Sequence, residues 1–96
     1  MVRKQEVGIC ADRLQYLSEV LEAMCKIKGD CFPEIETELS TLLGALSVSY
    51  ESVSLRKVMR FCDKSADALD VKMREYPNHF ATVIREKLNG CRWTIK

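Results

Sequence analysis

Apolar residues return along the first third of the chain with helical spacing. Val7, Cys10, Leu14, Leu17, Leu21 and Met24 alternate steps of three and four, one helix face repeated over about three heptads. Val20 and Ile27 widen this stripe beyond a coiled-coil seam, toward the broader face a helix presents to a globular core. The pattern predicts a first helix from about Arg3 to Lys28, roughly 39 Å long at ~1.5 Å per residue. Lys26 and Lys28 lie where cations suit the helix dipole, and Gly29 is a natural left-handed terminator.

Pro33 fits the first turn of a second helix, with Glu34, Glu36 and Glu38 near its positive end and Phe32 placed to staple onto it. Its apolar stripe is Ile35, Leu39, Leu42, Leu43 and Leu46, ending near Ser49. Ser40, Gly44 and Ser47 form a small-residue stripe on another face. A helix-interior glycine costs about 1 kcal/mol relative to alanine. Close approach of a helix of the same chain is one explanation, a docking partner helix a second, and a tolerated surface glycine a third.

The short polar link around Ser49–Ser52 predicts that the second and third helices are antiparallel neighbours, with Ser52 or Ser54 as the next cap. Leu55, Met59, Cys62, Ala66, Leu69, Met73 and Tyr76 make the second long ladder, with a narrow waist at Cys62 and Ala66 that a bulky leucine opposite would fill. Pro77 interrupts it. A shorter helix over 79–89 follows, with Asn78 as cap, Phe80, Val83, Ile84 and Leu88 on one face, and Gly90 as terminator. The last six residues alternate apolar and polar, a strand period without a partner strand.

These elements predict an all-α fold: a small antiparallel helical bundle of three long helices plus one shorter C-terminal helix. Residues 1–90 form one domain and residues 91–96 an extended tail. A 96-residue chain builds one core, with little left for a deep catalytic cleft.

Chemistry is sparse. The chain has no phosphate-binding glycine loop, nucleophile elbow or HExxH. His79 is the single histidine and is read as exposed or capping; no catalytic residue, metal or cofactor is assigned. Cys10, Cys25, Cys31, Cys62 and Cys91 are five, irregularly spaced and without CxxC pairs, as for reduced thiols in the cytoplasm or nucleus. Cys31 and Cys91 are expected in loops and exposed. No stretch approaches the ~20 apolar residues of a membrane span, and no secretory leader or lipid anchor is expected.

Charge refines the picture. The near-neutral total of +1 hides a first half (residues 1–50) at −3 and a second half (residues 51–96) at +4. Arg56, Lys57, Arg60 and Lys64 form a basic strip at the start of the third helix, where cations oppose the dipole. Glu34, Glu36 and Glu38 are expected at the opposite end of the helix pair, too far for direct pairing. Phe61 either flanks the core or serves as a binding anchor, and Trp93 either closes the bundle or belongs to an interface.

The pattern therefore favours a protein–protein interaction or oligomerisation domain, an adaptor or scaffold module of a larger intracellular protein. Its candidate interface is Arg56, Lys57, Arg60, Lys64, Phe61, Trp93, Ser40, Gly44 and Ser47. The expected partner is a protein, presenting a helix or an acidic segment, or a second copy of the chain. A nucleic-acid-binding module using the basic strip is the rival reading. The weak basic footprint, without interleaved aromatics, speaks against it.

Overall fold

A computed structural model describes residues 1–93; Thr94, Ile95 and Lys96, part of the expected tail, lie outside the described residues. The first helix begins with a 3-10 turn, Lys4–Glu6, and continues as α1, Val7–Lys28. The Glu6 carboxylate accepts from the Arg3 backbone N–H at 2.8 Å. Gly29 ends α1 as expected: it adopts φ 71° and donates its N–H to the Cys25 carbonyl at 2.7 Å, a conformation that costs a β-carbon-bearing residue about 1 kcal/mol. Pro33 opens α2, Pro33–Ser49, and the Glu36 carboxylate accepts from the Phe32 N–H at 3.0 Å. A 3-10 turn, Tyr50–Ser52, leads to Ser54, whose hydroxyl caps α3, Leu55–Lys72, by accepting from the Lys57 N–H. After the 3-10 turn Met73–Glu75 and Pro77 comes α4, Asn78–Cys91.

The helices run up, down, up, down. α4 lies antiparallel to α1, with Arg13 donating to the Arg92 carbonyl, Tyr16 resting on Gly90 and Lys87 paired to Glu19. It lies antiparallel to α3 too, with Arg85 on Asp70 at 2.9 Å and Arg92 on Asp67. α1 and α3 are parallel: the Val2 N–H donates to the Val53 carbonyl at one end, and Tyr76 reaches the Met24 carbonyl at the other. α1 is therefore central, shared by the other three helices. Cys10, Leu14, Leu17 and Met24 of α1 join Val58, Cys62, Ala66 and Leu69 of α3 and Ala81, Ile84, Leu88 and Cys91 of α4 in one core, to which α2 adds Leu39, Leu42 and Leu46.

Several expectations need correction. α2 and α3 are consecutive and oppositely directed, but α2 packs on α1 and barely meets α3. The α3 ladder enters the core at Val58, while Leu55 and Met59 are only half-buried. Asn78 is not the cap of α4: Pro77, held extended at ψ 142°, is, and its carbonyl accepts from the Phe80 and Ala81 N–H groups. The buried face of α4 is Ala81, Ile84, Leu88 and Cys91, leaving Phe80 and Val83 exposed. Between α1 and α3 the small Ala81 and Cys91 give a slimmer seam than Phe80 and Val83 would. Gly90 does not end the helix. It stays in it, where an added β-carbon would stand 3.5 Å from the Tyr16 ring, and Cys91 is carried into the core.

Candidate interaction surface

Because α2 leans on α1 alone, its first two turns and the middle of α3 diverge into an open groove. Ile35, Phe61 and Ala68 supply its apolar lining; Glu34 and Glu38 stand on the α2 side and Lys64 on the α3 side. The helix geometry sets these positions. Ile35 begins the apolar stripe of α2, Glu38 lies one turn on, and Phe61, Lys64 and Ala68 are spaced three and four apart on α3. Lys64 thus comes to the same groove as Glu34 and Glu38, contrary to the expectation that the acidic start of α2 and the basic strip lie at opposite ends.

The structure divides the predicted interface residues. Phe61 and Lys64 line the groove. Phe61 is half-buried and packs against the core, so it flanks the core and contributes to the surface together. Arg56, Arg60 and Lys64 share a shallow face of α3, where Asp63 and Asp67 alternate with them. Lys57 is exposed but does not line that face. Ser40, Gly44 and Ser47 are all exposed on α2. Nothing lies within 4 Å of where a Gly44 β-carbon would be, so close approach within the chain does not explain this stripe. The stripe continues into Thr41 and Val48, the latter 86% exposed, and residues 39–50 carry no charge.

Trp93 closes the bundle end. Its backbone N–H donates to Asp63 at 2.8 Å, and the Arg13 guanidinium lies 4.5 Å from its ring centroid, a favourable cation–π distance. The indole N–H is buried without a hydrogen-bond acceptor among the described residues, close enough to Cys62 to favour its thiolate slightly against the burial that raises it. The ring is thus committed to its own fold.

Sequence reasoning passed over Glu34, Glu38, Ile35 and Ala68 as surface-forming residues. The available signal was Ile35 at the start of the α2 stripe beside an acidic first turn. Without the divergence of α2 from α3, nothing distinguished it from an ordinary core position.

The thiols fall into two groups. Cys10, Cys62 and Cys91 are buried, Cys25 and Cys31 exposed, so the expectation of an exposed Cys91 fails with the longer α4. Burial pushes the Cys62 thiol up to about 11 and the Cys91 thiol up to about 12, and Cys10 is raised by the same cause. A thiol acts as nucleophile through its thiolate, which these environments suppress. His79 is exposed at the start of α4, its ring 4.1 Å from that of Phe80. Among the described residues, no three His, Cys, Asp or Glu side chains are grouped to hold a metal, and no helix is long and apolar enough to cross a membrane. Comparison with known protein families, curated proteins and solved structures found no match.

Proposed function

We propose that this chain is a protein–protein interaction module, an adaptor or scaffold domain of a larger cytoplasmic or nuclear protein. Its binding surface is the groove between α2 and α3, and its ligand is an amphipathic helix of a partner protein. The observation that carries the reading is that α2 is held on one side only, which leaves an apolar groove with Glu34 and Glu38 on one wall and Lys64 on the other. The partner helix presents an apolar strip to Ile35 and Phe61, an acidic flank to Lys64 and a basic flank to the glutamates. Helix-in-groove recognition of this kind reads anchors at i, i+3 and i+4 and takes register from flanking charge.

The test is affinity purification with the intact protein, followed by titration of the captured partner. Lys64→Glu and the pair Glu34→Lys/Glu38→Lys are exposed or rim changes that leave the fold intact, checked by thermal melting. Each should weaken binding about tenfold, the size of a lost charge-assisted contact. Binding indifferent to both overturns the reading. So does a dimer that alone accounts for the surface, or salt-dependent oligonucleotide binding abolished by reversing Arg56, Lys57, Arg60 and Lys64.

A further inference from the structure

We propose that Cys25 and Cys31 form a surface dithiol site at which the α1–α2 connection closes reversibly into a disulfide by exchange with a small-molecule disulfide of the glutathione class. This inference is independent of the groove. It rests on the contrast between three buried cysteines and two exposed ones, and on how the chain brings those two together. Cys25 lies in the last turns of α1. Gly29 reverses the chain at φ 71°, its N–H bound to the Cys25 carbonyl at 2.7 Å, and the Cys31 thiol donates back to the Gly29 carbonyl at 3.8 Å. Both cysteines line one shallow cleft between α1 and α2, beside Glu22, Lys26 and Glu36. The two side chains are near enough for Cys25 to be the leading influence that keeps the Cys31 proton on, ahead of desolvation, Glu36 and Asp30. The connection is anchored from behind, since the Tyr76 hydroxyl donates to Asp30 at 2.5 Å. The two exposed thiols therefore share one cleft on either side of a fixed turn, open to solvent.

In the exchange, one protein thiolate attacks a sulfur of the small disulfide. That S–S bond breaks, a mixed disulfide forms and one small thiolate leaves. The second protein thiolate attacks the mixed disulfide at the protein sulfur, forming the Cys25–Cys31 bond and expelling the second small thiolate. The two protons lost by the protein thiols end on the two released thiols. The protein gives up two electrons and the small disulfide gains them.

The fully reduced intact chain is incubated with oxidised glutathione and followed by intact mass and by peptide mapping without reductant. Closure predicts a loss of about 2 Da with no retained adduct, two of the five thiols consumed, and full reversal by dithiothreitol. Trypsin cuts after Lys26 and Lys28, between the two cysteines, so their peptides stay joined only through the disulfide. Cys31→Ser should stop at a single glutathione adduct on Cys25. Stable adducts on both cysteines of the wild-type chain, a disulfide between two chains, or no loss of thiols each overturns the proposal. Thermal melting of Cys31→Ser, an exposed substitution, confirms that the fold is intact.

Discussion

On one flank of α1, helices α3 and α4 close over Cys10, Leu14 and Leu17, all at 0% exposure, and Cys62, Ala66, Leu69 and Cys91 meet them at 0%. On the other flank α2 covers the Leu21 side alone. There Leu21, Leu39, Leu42 and Leu46 keep 4–6% exposure, and the outer face of α2 is open. The apolar spacing is helical on both flanks. What differs is the number of helices gathered around each stripe. Three helices sharing one seam leave no surface for a partner, whereas a helix supported on one side leaves a groove on the next. Stability should therefore concentrate among α1, α3 and α4, and recognition on α2.

Core truncation tests the contrast most strongly. Leu17→Ala should cost about 4 kcal/mol and Leu42→Ala about 2 kcal/mol, because the site enclosed by more helices collapses less around the cavity. Leu17→Glu should leave no cooperative urea transition at all, since an unpaired carboxylate at a fully enclosed site approaches the whole stability of a domain this size. Equal costs for the two alanine variants in urea unfolding would erase the distinction between the flanks.

The tightly packed flank should also carry a signature at alkaline pH that α2, which has no cysteine, cannot contribute. Burial raises Cys62 to about 11 and Cys91 to about 12, whereas thiols of the unfolded chain ionise near ~8.5. Below that pH both states hold their protons and the contribution is fully present. As pH rises toward 11 and 12 the unfolded chain ionises first, so stability falls. The urea midpoint should drop between about pH 9 and pH 11, and Cys91→Ala should flatten the drop; a slope unchanged in that variant would place the titration elsewhere.

Tyr76 joins the two flanks at one end. It is buried at the close of the α3 ladder, and its hydroxyl donates to Asp30 in the α1–α2 connection. Burial and the Asp30 carboxylate hold its phenol proton well above the usual tyrosine range. Tyr76→Phe should cost about 1.5 kcal/mol, the size of a hydrogen bond to a charged group. Amide exchange at Gly29 should quicken by more than the global loss accounts for. Uniform acceleration across all four helices would mean that the tie stabilises the fold without setting the connection.

Much of the fold was legible in the chain because helix spacing and terminators are local properties. The ladders from Cys10 to Met24 and from Cys62 to Tyr76, the Gly29 turn, Pro33 as a first residue and the Ser54 cap all follow from neighbours within a turn or two. Relations between helices were not local and went unread. Nothing in the spacing of Leu39, Leu42 and Leu46 says that α2 rests on α1 instead of α3, and so nothing brought Lys64 to Glu34 and Glu38. Phe80 and Val83 fit a helical stripe as well as Ala81 and Cys91 do. The choice between them is made by how closely α4 approaches α1 and α3. Trp93, which in the chain shows only a strand-like alternation, is fixed by Asp63 and Arg13, which only the folded bundle brings to it.

Gly44 gives the smallest effect and probes the open side of α2 directly. It is helical, with no atom within 4 Å of an added β-carbon, so Gly44→Ala removes backbone freedom from the unfolded chain without a clash. The isolated chain should gain about 0.5–1 kcal/mol, a rise of roughly 4 °C in Tm. A lower Tm would mean that this face is covered in the free protein, against the one-sided support of α2. The same variant separates the groove from the small-residue stripe as the seat of binding. A methyl added at a surface where another helix approaches closely intrudes on that helix and weakens the complex, whereas a partner seated between Ile35 and Phe61 does not meet it. Higher stability with unchanged partner affinity would leave the groove as the binding surface and Gly44 as a stability cost that the fold tolerates.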